Sequence, residues 1–119
     1  MRVVNRHKVE KLPFTNPIFT GTDVFIQVLL PDSREFTANV VHFGKGVRNK
    51  FHSHSDEQIL IITSGKGIIA TETEQKDITE GDIVIIPANE KHWHGATKDS
   101  EFSHIYISKP ESKLTQLED

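Results

Sequence analysis

The chain of 119 residues contains no cysteine. Disulfides, thiolate metal sites and cysteine nucleophiles are therefore excluded, and the composition suits a reducing compartment. No apolar run is long enough to span a bilayer, and the opening "MRVVNRHKVEKLPF" lacks the apolar stretch of a signal peptide. Nor is there an excess of one charge: 14 basic and 17 acidic residues are spread along the length, for a net charge of −3. Without a basic stripe or polybasic cluster, neither nucleic acid nor an anionic membrane is an expected partner. Alanine and leucine are sparse, which argues against helices. These absences leave the expectation of a soluble cytoplasmic protein. Residues 1–119 should form one domain with one continuous core.

What is present leans towards strands. Isoleucine, valine and threonine are abundant. Short apolar runs such as "TDVFIQVLL" (Thr22–Leu30), "FTANVVHF" (Phe36–Phe43), "EQILIIT" (Glu57–Thr63), "GIIATETE" (Gly67–Glu74), "GDIVIIP" (Gly81–Pro87) and "FSHIYISK" (Phe102–Lys109) are closed by Gly, Pro, Asp or Asn. Runs of that length and spacing indicate an all-β sandwich or barrel. Its core should span about 20–110, between an N-terminal arm (1–19) and a C-terminal tail (110–119). Only the tail segment "ESKLTQLED" has any helical character, so one short helix is expected there.

Two motifs compete with this reading. Ser55 and Gln58 have capping-box spacing before an apolar run, a helix-start signature. The run Ile59-Leu60-Ile61-Ile62 has no helical period, however, and Gly65 ends it too soon for a helix. A strand buried on both faces fits better. "GKGIIA" (Gly65–Ala70) matches a dinucleotide fingerprint, but that motif needs a following helix. "IIATETE" alternates like another strand, so "SGKG" is expected to be a hairpin turn.

Seven histidines are the other anomaly, four of them in the pairs His52/His54 and His92/His94. In a strand, residues i and i+2 share a face. Two His-x-His pairs on different strands of a closed sheet can therefore converge inside it. Neutral imidazoles suit zinc, iron, manganese, nickel or copper. Gln58, on the face of Leu60 and Ile62, can add a neutral carbonyl oxygen.

These residues resemble the cupin family. "GVRNKFHSHSDEQILIITSG" (Gly46–Gly65) is similar to the first cupin motif and "GDIVIIPANEKHWHGA" (Gly81–Ala96) to the second, agreeing at every spacing anchor. The resemblance implies a double-stranded β-helix, or jelly-roll barrel, with a metal near its mouth. It departs from the usual pattern where Gln58 replaces a metal-binding glutamate; Glu57 is one position early and should face away. Asn89 and Ala96 also stand where glycine and asparagine are common. With "FTGT" (Phe19–Thr22), "EKHWHGA" (Glu90–Ala96) and His104, the chain looks like the manganese-dependent cupin hydroxynitrile lyases. It also resembles single-domain cupins related to carboxymuconolactone decarboxylase-type proteins. By this resemblance the metal ligands are His52, His54, Gln58 and His92, and the metal is manganese ahead of iron, zinc or nickel. A homodimer, often with exchanged N-terminal strands, is also implied.

Such a set permits Lewis-acid chemistry on a small organic substrate, with a histidine moving the proton. His104 is the first candidate for the general base and His94 the second. Trp93 and Lys91 should point away from the metal, His42 should be structural, and His7 solvated. Lyase, decarboxylase or isomerase chemistry leads. The alternatives are an iron-dependent cupin dioxygenase and a non-catalytic module binding a small ligand or metal.

Overall fold

A computed structural model describes Met1 to Asp119. Apart from a three-residue 3-10 turn at Arg6–Lys8, the regular structure is all strand. In chain order the strands are β1 (Leu12–Pro13), β2 (Val24–Val28), β3 (Thr37–Phe43), β4 (His52–His54) and β5 (Gln58–Ala70). They continue with β6 (Gln75–Thr79), β7 (Ile83–Ile86), β8 (Trp93–Ala96), β9 (Phe102–Ser108) and β10 (Leu114–Gln116). All pairings are antiparallel. No helix is long and apolar enough to cross a membrane.

β5 holds the barrel together because it belongs to both sheets. Its first half, Gln58 to Ile62, lies between β7 and β9, and β9 leads on to β3, β2 and β1. Its second half, Lys66 to Ala70, lies between β6 and β8. β8 meets β4 through the bridges Arg48↔Gly95 and His52↔His92, and β4 carries β10 on its far side. The result is the all-β jelly-roll barrel expected from the sequence.

The strand changes sheet at Gly65, where φ is +76° and the register shifts between Ile62 and Ser64. A bulge with a left-handed glycine is a usual way to turn a barrel corner. A side chain there would run into the carbonyl of Glu101. The hairpin expected at "SGKG" is therefore corrected: the chain bends but does not reverse. The polar segment after Ala70 also yields a strand, β6, that its alternation did not announce.

The expected C-terminal helix is absent too. Leu114–Gln116 is strand β10, paired Leu114↔His54, Thr115↔Ser53 and Gln116↔His52. The unpaired edge of β4 offers backbone partners that a helix of one or two turns cannot match.

Inward-facing residues stack in register across the first sheet: Phe43 opposite Phe102, Val41 opposite His104, and Asn39 opposite Tyr106. Val24, Val41, Phe43, Leu60, Ile62, Ile78, Ile86, Ala96 and Phe102 make one buried cluster. On the opposite face of that sheet, Gln27 donates both amide hydrogens to the N-terminal arm, at Arg6 O (2.8 Å) and Val9 O (2.7 Å). The arm lies where Val40 is fully buried on that face.

Candidate metal centre and its cavity

His52 and His54 project together from β4, as strand parity requires. His92 reaches them because His52 and His92 exchange both backbone hydrogen bonds, at 2.9 and 3.0 Å. The ligand atoms of His52, His54 and His92 all lie within 4.8 Å of one another. The ring centroids are 4.3 to 5.4 Å apart.

The rings are oriented from behind. His52 donates Nδ1–H to Lys50 O (2.6 Å), and His92 donates Nδ1–H to Glu90 O (2.8 Å). Each neutral ring therefore keeps its lone pair on Nε2, turned away from those carbonyls. Such a carbonyl behind a histidine commonly fixes the tautomer of a metal ligand. His92 Nε2, His54 Nδ1 and Gln58 Oε1 are buried with no hydrogen-bond partner. A buried polar atom without a partner is costly. Several of them converging as acceptors is the condition a cation relieves, so the residues fit a metal.

Burial also keeps the rings in the ligand form. It lowers His52 to about 3, with His92 adding, lowers His54 to about 4, again with His92 adding, and lowers His92 below its usual value. Each shift favours the neutral ring that metal binding requires.

A cavity of about 360 Å³ opens beside the cluster, lined by His52, His54, Gln58, His94 and His104. Phe14, Phe19 and Phe43 form an edge-to-face row running to His94, with centroid spacings of 5.0, 5.7 and 5.9 Å. This wall is apolar, while most of the remaining lining is polar, with Asn16, Thr37, Asn49, Ser108 and Lys109 beside the histidines. Tyr106 adds a hydroxyl fixed by Asn39 Nδ2 at 2.6 Å, and burial raises its pKa above the usual value.

His94 and His104 meet within this cavity, with their Nε2 atoms 3.1 Å apart. They are 4% and 2% exposed. Burial pushes His94 well below its usual pKa, with His104 adding, and pushes His104 to about 3.

Thus His52, His54, Gln58, His94 and His104 share one cavity, and His92 closes the cluster beside His52 and His54. Glu57 is exposed. Trp93 faces away beneath the Arg48 guanidinium, 4.5 Å from its ring centre, and Lys91 pairs with Glu72 at 3.4 Å. His42 bonds to Ser103 (2.7 Å) and Gln27 (2.8 Å) on the outer face, and His7 is exposed.

Asn49 was not visible in the sequence as part of the site. Parity from His52 turns it away, but the chain bends at Phe51 and brings its amide to His94. Ser112 and Leu114, in the expected helix, instead line the cavity.

Comparison with known proteins agrees with this geometry. Residues 39–108 match the family described as the cupin domain. The (R)-mandelonitrile lyase of Granulicella tundricola is 37% identical over 93 residues, covering 75% of this chain and 70% of that protein. A cupin-like protein from Thermotoga maritima superposes with a TM-score of 0.82 at 34% identity, over 90% of this chain and 84% of that one. The polyketide cyclase RemF from Streptomyces resistomycificus has the same TM-score over 100% of this chain and 88% of that one. Its identity is 14%, so that likeness is one of fold.

Proposed function

The chain belongs to the cupin family, and from that premise we propose that it is a metal-dependent enzyme of lyase type acting on a small organic substrate. The observation that carries this reading is the cluster of His52, His54 and His92, with two rings oriented from behind and ligand atoms within 4.8 Å. His52, His54, His92 and Gln58 Oε1 would hold a divalent transition metal, manganese ahead of iron, zinc or nickel. When bound, the metal supplies a Lewis acid for a substrate carbonyl, carboxylate or cyanohydrin oxygen.

The residues of the chain do the rest. Gln58 is neutral, so it does not offset the charge on the metal as a glutamate would. The phenylalanine wall gives one side of the cavity a low-dielectric surface, which strengthens electrostatic interactions beside it. His94 and His104, whose Nε2 atoms meet at 3.1 Å in the cavity, form the pair that takes and returns the substrate proton. The likeness to a mandelonitrile lyase supports carbon–carbon cleavage beside a hydroxyl as the first reaction to assay.

The test combines metal analysis with turnover. The reading expects metal in the purified protein, and cyanide release from mandelonitrile that His104→Ala abolishes. Oxygen uptake by iron-loaded protein with diols or diketones would replace it with a dioxygenase. Metal saturation with no turnover would leave a binding module.

A homodimer is part of the proposal. Ile59, Ile61, Ile83, Ile85, Ile105 and Ile107 stand side by side on the outer face of the first sheet. Ile83 and Ile85 are 65% and 63% exposed. A contiguous apolar face of this kind supports a self-complementary contact between two copies.

A further inference from the structure

Asn49 lies outside the metal cluster and holds His94 by three hydrogen bonds. Its backbone N–H donates to His94 O (2.9 Å), its side-chain Oδ1 accepts the His94 backbone N–H (2.8 Å), and its Nδ2 sits 3.2 Å from His94 Nε2. Asn49 is 6% exposed. The second bond decides the orientation of the amide. A backbone N–H can only donate, so the atom facing it is the oxygen, and the atom facing His94 Nε2 is the NH₂ group. That group can only donate. His94 Nε2 must therefore carry a lone pair, and the ring proton of neutral His94 must sit on Nδ1.

The constraint passes to the next ring. His104 Nε2 is 3.1 Å from the same His94 nitrogen. The single lone pair of His94 Nε2 is then shared between Asn49 Nδ2 and His104, and the His104 contact is a hydrogen bond only if His104 Nε2 carries the proton. We infer that Asn49 is a positioning residue that sets the proton arrangement of the histidine pair, with the lone pair on His94 Nε2 and the proton on His104 Nε2.

The consequence for chemistry, which rests on the proposed lyase reading, reverses the order of candidates drawn from the sequence. In the resting pair His94 is the proton acceptor and His104 the donor. An aspartate at position 49 would keep the acceptor for the His94 backbone N–H but replace the NH₂ donor with a second acceptor. His94 would then have to place its proton on Nε2.

The test is the tautomer itself, read by long-range proton–nitrogen correlation on histidine-labelled protein, metal-free and loaded with diamagnetic zinc. In the unaltered protein the expected result is protonated Nδ1 on His94 and protonated Nε2 on His104. In Asn49→Asp the His94 proton moves to Nε2, a relocation that loss of packing alone does not cause. A His94 proton on Nε2 in the unaltered protein overturns the inference, as does an unchanged tautomer in Asn49→Asp. If Asn49→Asp fails to fold, the spectrum of the unaltered protein decides alone. Zinc content of the same samples separates the two ideas: expected tautomers without zinc uptake would sink the metal reading and leave this one standing.

Discussion

His52 and His92 lie opposite each other across an isolated antiparallel bridge, exchange both backbone hydrogen bonds, and have ring centroids 4.3 Å apart. Neither ring can approach the other by rotamer choice alone; the backbone pairing sets the distance. The cluster is therefore preorganised by the sheet, and it brings unpartnered acceptors close together before any ion arrives.

That arrangement makes metal removal and ligand loss distinguishable. Adding metal at about 100-fold above its dissociation constant should stabilise the protein by ~2.7 kcal/mol. In His92→Ala that gain should vanish; the metal-free variant should also be less stable than the unaltered protein, because the truncation opens a cavity and loses the Nδ1–H bond to Glu90 O. Thermal unfolding with and without metal checks this. An equal metal-induced shift in both proteins would exclude His92 as a ligand.

Gln58→Glu should act in opposite directions on binding and turnover. A carboxylate adds negative charge among three neutral rings, so metal affinity should rise by on the order of tenfold, or ~1.4 kcal/mol. The same charge weakens the Lewis acid, so turnover should fall. Chelator competition and a rate measurement on one preparation read both effects. Unchanged affinity would count against Gln58 Oε1 as a ligand.

Stability should fall on acidification through a histidine outside the site. Burial lowers His42 to about 4, with Lys11 and Arg6 adding, against 6.5 when unfolded. Lys11, Asp23 and Glu101 line the crevice beside it. Between those two values the unfolded chain binds a proton that the folded chain does not, so stability declines as pH drops through that window and levels off below it. His52, His54 and His104 slope the same way. His42→Asn should flatten part of the decline, measured by denaturant unfolding across the window. An unaltered slope would remove His42 from the explanation.

Gly65→Ala should destabilise the fold by at least about 2 kcal/mol, because it combines a left-handed φ with collision against the Glu101 carbonyl. Urea unfolding gives the value. A near-neutral result would mean the β5 corner can form without glycine.

Charging the isoleucine face should separate copies of the chain. Ile83→Lys with Ile85→Lys leaves the buried cluster untouched, since both side chains are exposed. Light scattering should report half the mass of the unaltered protein. A monomeric unaltered protein would dispose of the dimer.

Much of the site was legible because strands repeat every two residues. Parity alone put His52 with His54 and turned Glu57, Lys91 and Trp93 away. The same rule failed at Asn49, because one bend at Phe51 reverses the count, and its partner His94 lies 45 positions further on. The tail misled for a related reason. Leu114 and Leu117 are three apart, a helical interval, yet the open edge of β4 decided the outcome. β5 joins two sheets through one glycine, and nothing in the local pattern around Gly65 separates a corner from a hairpin.

β10 has a further consequence for how the centre comes into being. Every histidine of the cluster and cavity precedes Leu114–Gln116, the strand that zips onto His52–His54. During synthesis all the imidazoles emerge before that edge can be sealed. The Glu118 clasp on Arg48 (3.0 Å) and on the Phe51 N–H (2.8 Å) forms later still. The His52–His92 bridge can gather the ligand atoms first, and any ion held there would be closed in only when this strand pairs with β4. A nascent chain stalled short of this strand should hold its ion loosely, although every nitrogen donor is already present.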